Sequence, residues 1–221
     1  LTEKQDNRSQ TRKMFAAYWR CYGGWRAITT SPYFIAALVI TILLFPAWIR
    51  AEWWTTVIQI LPNIVGFSIG GFAIWLGFGD EKFKALIAEK DFENDISPYM
   101  EVSATFTHFV LVQVAAILAA VGGAAFLDTD NSLSIVGYLA SLGPAFATPA
   151  AVVQAVYGFF GFLLFTYAIG TAVAAVFAIF EVAGWFDKYK AVTIGVPGQK
   201  VNRPNATPDP APAKASPPKS E

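Results

Sequence analysis

The sequence has little charge, one cysteine and one histidine, and each shortage excludes a class of protein. Charged residues make up 14% of the 221 positions, against about 25% in a typical soluble domain. The lone Cys21 rules out an intramolecular disulfide and a zinc site built on thiolates. The lone His108 rules out a His-rich metal site or a haem held by two histidines of one chain. Sixteen Lys and Arg balance sixteen Asp and Glu, so no net field draws the chain to nucleic acid. No phosphate-cradling loop with a following Lys-Ser/Thr is present; the nearest run, Gly77-Phe78-Gly79-Asp80, lacks those partners. Nothing around His108 and Asp80 resembles the setting of a Ser-His-Asp set. The chain is therefore expected to have no catalytic residues, no metal and no cofactor, and not to be an enzyme.

What the chain does have is hydrophobic residues, at 55%, and aromatic ones, at 15%. A membrane-crossing helix needs about 20 mostly apolar residues. Four stretches qualify: residues 33–49, 57–78, 104–127 and 152–182. The first is the shortest, with Pro46 near its exit. The fourth is longer than a perpendicular helix requires, so it should tilt or extend beyond the lipid. The fold expected is all-α: a polytopic membrane protein with four transmembrane helices and a short interfacial helix between spans two and three. Residues 1–32 read as a basic, aromatic juxtamembrane segment, 33–185 as the four-helix transmembrane domain, and 186–221 as a Pro-rich, disordered cytoplasmic tail. That tail holds most of the 13 prolines and too little apolar surface to offset its ordering entropy. The basic residues of 1–31 are not followed by a short apolar run with a small-residue cleavage site, so no cleaved signal peptide is expected.

Charge orients the spans. With four crossings, fifteen of the sixteen Lys and Arg lie on one side, and only Arg50 falls on the other. The positive-inside tendency then places both termini in the cytoplasm. Short loops and compact spans suggest a bacterial inner membrane. Tyr18, Trp19, Tyr22 and Trp25 precede span one, Trp48, Trp53 and Trp54 lie at its outer end, and Trp185, Phe186 and Tyr189 follow span four. Such amphipathic rings favour headgroup depth.

The connecting segments also carry signals. Residues 80–95 start with Asp80 as an N-cap and place Phe83, Leu86 and Ile87 on one face, which predicts a helix lying on the inner leaflet. Ser97-Pro98 reads as the N-cap and first helical residue of span three. The apolar part of the loop 128–149 is too short to cross and should form a surface-lying or re-entrant helix.

Within span two, Asn63, Gly66, Gly70, Ala73 and Gly77 recur at steps of three and four and share one helical face. In lipid, small residues allow the close backbone approach that holds helices together. The simpler expectation is that this stripe packs against spans three and four of the same chain. The sharper one is that it faces another subunit or an oligomer axis. Ionisable residues in spans are few. His108 and Glu181 are expected at similar depth near the cytoplasmic face, where a shared proton would join them in a polar mouth; the simpler expectation is that both snorkel to water. Gln59, Asn63, Gln113 and Gln154 are expected to hydrogen bond between helices. Two functions compete. One is an oligomeric pore or channel-like protein using the small-residue face of span two. The other is a non-catalytic anchor or accessory subunit that recruits a cytoplasmic or membrane partner. The expected partners are the lipid bilayer and either further copies of the chain or other membrane proteins.

Overall fold

The computed structural model describes residues 2–49, 52–89, 96–127 and 134–194. These are all-helical, with no strand among them. The elements are α1 (Thr2–Tyr22), α2 (Gly24–Thr30), α3 (Pro32–Leu43), α4 (Phe45–Trp48), α5 (Trp53–Gly77), α6 (Glu81–Ala88), α7 (Pro98–Phe126), α8 (Ile135–Ser141) and α9 (Pro144–Ile194). Three helices are long and apolar enough to cross a membrane: Trp53–Gly77, Pro98–Phe126 and Thr148–Thr193. α2 and α3 reach that length only as a pair, bent by 55° at Ser31. The expected first span is thus interrupted: α3 stops at Leu43, and Pro46 sits inside the four-residue α4.

Local signals set several ends. The Asp80 carboxylate accepts from the Phe83 backbone N–H at 2.8 Å and starts α6. The Ser97 hydroxyl accepts from the Met100 N–H at 3.4 Å, and Pro98 opens α7, an arrangement suited to donors that have no partner within the helix. Lys84 Nζ donates to the Leu76 carbonyl at 3.0 Å, covering the end of α5. Gly23, with φ of 92°, lets α1 turn into α2.

Packing reveals the course of the chain. α3 and α4 run antiparallel to α9: Tyr33 lies on Gly170, Thr41 on Thr166 and Trp48 on Gly158. α5 runs antiparallel to α7, from Trp54 on Gly123 through Ser68 on Gln113 to Trp75 on Ser103. α7 runs antiparallel to α9, with Tyr157 donating to the Ala119 carbonyl at 2.8 Å and His108 bonded to Tyr167. Successive long helices therefore alternate in direction.

Two apolar clusters fill the bundle. One, at the tryptophan end, centres on Trp53, Trp54, Leu61 and Phe162. The other, at the opposite end, centres on Trp75, Phe83, Phe106 and Val182. α9 runs to about 75 Å at 1.5 Å per residue, more than twice the hydrocarbon thickness. Its last turns leave the bundle and pack on α6, where Phe83 meets Phe186 and Tyr189 and Lys190 pairs with Asp80 at 3.1 Å.

Several expectations are corrected. α9 starts at Pro144 and continues through 186–194, so the first nine residues of the expected tail are helix; apolar contacts of Phe186 and Tyr189 with α6 hold them. Of the expected apolar face of α6, Phe83 and Ile87 are buried, but Leu86 is 55% exposed. α6 also ends at Ala88, well before residue 95. Residues 128–133 and 195–221, and with them most of the expected tail, lie outside the described residues, as do Arg50 and Lys90.

Glycines divide into two kinds. A Cβ on Gly158 would lie 2.7 Å from the Trp48 carbonyl oxygen, a backbone atom that cannot swing away. A Cβ on Gly70 meets nothing within 4 Å. Gly158→Ala should therefore destabilise the fold by about 1–3 kcal/mol through overpacking. Gly70→Ala should leave it unchanged or raise it by about 0.5–1 kcal/mol through helix propensity. Unfolding of both variants in non-ionic micelles measures the contrast.

Candidate functional site

The small-residue face is built on α5. Val57, Leu61, Ser68, Gly71 and Trp75 point inward and are buried. Asn63, Gly66, Gly70, Ala73 and Gly77 lie on the opposite side and are all exposed. The expectation that this stripe packs against spans three and four is corrected: that role falls to Ser68 and Gly71, whose side of α5 carries the larger side chains that fill the core. Beside the stripe, Asn63 and Phe67 of α5 and Ile169, Val173 and Val176 of α9 line an open groove of about 410 Å³. Asn63 Nδ2 donates only to the Gln59 carbonyl of its own helix, at 3.4 Å. Of the amides expected to bond between helices, Gln113 does so: it is fully buried and its Nε2 donates to Ser68 Oγ at 2.9 Å. Its Oε1 has no partner among the described residues.

His108 is placed differently from the expected mouth. It is 4% exposed. Its Nδ1 is 2.9 Å from the Tyr18 hydroxyl and its Nε2 is 3.0 Å from the Tyr167 hydroxyl. Tyr22 stacks on the imidazole at 3.8 Å between centroids, and its hydroxyl reaches that of Tyr167 at 3.4 Å. A neutral imidazole has one donor and one acceptor nitrogen, so one tyrosine accepts from the ring and the other donates to it. His108 thereby clasps α1 to α7 and α9. Sequence spacing could not reveal Tyr18 and Tyr22 as its partners, because α1 is polar and reads as an interfacial segment. Cys21, next to Tyr22, is a half-buried free thiol.

Glu181 does not share a proton with His108. It is exposed and lies fourteen residues beyond Tyr167 on α9, about 21 Å along the axis. It lines a groove that starts at Tyr22, passes Phe109 and Phe177, and encloses about 270 Å³. A contiguous hollow of about 180 Å³, also lined by Glu181, is bounded by Glu101, Val102, Thr105 and Trp185. The residues expected to form one mouth are thus apart: His108 is buried behind Tyr22, which stacks on it, and Tyr22 and Glu181 line the groove.

Among the described residues, no group of three or more His, Cys, Asp and Glu is placed to hold a metal ion. At the α6 end, the Phe83 N–H and then Lys190 hold the Asp80 carboxyl below the usual carboxylate range. No protein-family model, curated protein or solved structure matches the chain.

The Tyr18 hydroxyl is pushed from 10.0 to about 12, by burial first and by neighbouring Tyr22 second. A phenol that ionises less readily when docked stabilises docking fully below pH 10, and that stabilisation is lost as pH rises toward 12. α1 should therefore lose hydrogen-exchange protection over that window, in step with tyrosinate absorbance. Tyr18→Phe should remove this contribution. At neutral pH, His108→Ala should weaken the clasp by about 1–3 kcal/mol, because the Tyr18 hydroxyl loses its imidazole partner and the buried Tyr167 hydroxyl keeps only Tyr22. Amide exchange in α1 relative to α5 reads this difference.

Proposed function

We propose that the chain is a four-span integral membrane protein that assembles with copies of itself through the small-residue face of α5, forming a pore or channel-like structure around that contact. One observation carries the reading: Gly66, Gly70 and Gly77 are uncovered, and Asn63 presents its amide to the same open face. A polar amide facing hydrocarbon is costly without partners. Bare glycines offer the close approach that lipid chains do not need and helices do. The groove beside Phe67 gives a neighbouring helix a place to insert side chains.

In this reading, α2 and α3, bent at Ser31, together make the first crossing, with α3 running alongside α9. α6 lies in the interface. The basic residues of α1, α6 and the end of α9 face the cytoplasm of a bacterial cell, and the tryptophan end faces out. The chain performs no catalysis in this reading.

A second reading, as an anchor or accessory subunit for a cytoplasmic or membrane partner, is favoured by the rim of α1 and α2. There, Met14, Phe15 and Trp25 are 73%, 60% and 73% exposed, an apolar edge large enough to hold a partner or a headgroup layer.

Gly70→Leu separates these readings from a bundle that works alone. A Cβ at this position meets nothing within 4 Å and the residue is exposed, so the variant should unfold like the parent but appear as a smaller species by native mass spectrometry in micelles. An unchanged assembly state rejects the α5 contact. Ion flux across liposomes containing the parent supports the pore; silent liposomes together with a co-purifying partner favour the anchor.

A further inference from the structure

We infer that the groove between α7 and α9 binds a lipophilic cation: an amine or quaternary ammonium carrying a single apolar chain. The inference is independent of the assembly face, which lies on α5. The groove has two chemically distinct parts. Its inner length is lined mainly by aromatic and small apolar residues, Tyr33, Phe109, Ala174, Phe177 and Ala178, together with Tyr22 and Ser31. Its mouth carries two carboxylates, Glu101 and Glu181, flanking Thr105 and closed on one side by Trp185.

The charge of that mouth is one-sided. No lysine or arginine lines either hollow. The ion pair described in the bundle, Lys190 with Asp80, lies at α6, away from the groove. Two carboxylates beside a largely apolar cleft, with no lysine or arginine among the residues that line it, complement a positive head. Trp185 lines the same mouth, where an indole can add a cation–π contact. The apolar length beyond it suits an alkyl chain entering from lipid, since a site of this kind is mostly apolar with few polar groups fixing orientation. An anionic amphiphile of the same length would meet repulsion at the mouth.

The hollows, which share Thr105, Ala178 and Glu181, enclose about 270 and 180 Å³, room for an ammonium head and a medium-length chain. The test uses the full chain in non-ionic maltoside micelles. Radiolabelled decyltrimethylammonium is the probe, decyl sulfate the anionic control, and empty micelles the baseline. The expected result is one saturable site per chain for the cation and none for decyl sulfate. The double variant Glu101→Gln, Glu181→Gln, both exposed and so compatible with the fold, should weaken binding at least roughly tenfold. Ala178→Trp should block binding by filling the cleft, with Glu181→Gln as the milder variant if it disturbs packing. Cation binding by the double variant within about twofold of the parent, no saturable cation site in the parent, or equal binding of decyl sulfate would each overturn the inference. None of these outcomes depends on whether Gly70→Leu alters assembly.

Discussion

Three tryptophans held against three glycines set the spacing of one end of the bundle. Trp53 closes on Gly161, Trp54 on Gly123, and the Trp48 backbone on Gly158. In lipid there is no hydrophobic reward for bringing apolar helices together, so contact must come from dispersion and shape. A large flat ring against a residue without a side chain maximises that contact and brings helix axes close. Polar links then follow. Trp48 Nε1 reaches the Thr41 carbonyl at 2.8 Å, and Thr41 and Thr166 share a hydrogen bond at 2.9 Å. Beyond this end, Tyr18 and Tyr22 of α1 dock on His108 of α7 and Tyr167 of α9.

The His108 clasp explains how a polar helix joins a membrane bundle. α1 has no apolar length to insert, and it meets α7 through two tyrosines on one imidazole, Tyr18 by its hydroxyl and Tyr22 by its stacked ring. The cost of burying a histidine is offset by two hydrogen bonds and a stacked ring. The groove that begins at Tyr22 and ends at Glu181 is a consequence of this arrangement, since α1, α2 and α3 approach α7 and α9 without filling the space between them.

Much of this architecture is legible in the sequence. The three longest apolar runs became helices α5, α7 and α9, with Asp80 and Ser97 capping where their residue types predict. The first run was read correctly as apolar, but as one helix. It is divided at Leu44, between α3 and α4, just ahead of Pro46, whose missing N–H and fixed φ interrupt the ladder. The far end of α9 was read as disordered from its proximity to prolines. Phe186 and Tyr189, packed on Phe83, keep it helical. His108 was singled out for the right reason, as a costly residue in a span, and given the wrong partner.

The sequence by itself determined which segments are apolar helices, where charges must lie along the chain, and that five small residues share one face of α5. It could not determine which face of each helix points inward. A helix that is apolar all round has no polar side to mark its exterior, so Gly71 and Gly70, adjacent in sequence, are indistinguishable by composition. Only the tertiary structure put Gly71 beneath Phe106 and Ile179 and left Gly70 bare. It decided this by where the bulky side chains on α7 and α9 could be accommodated.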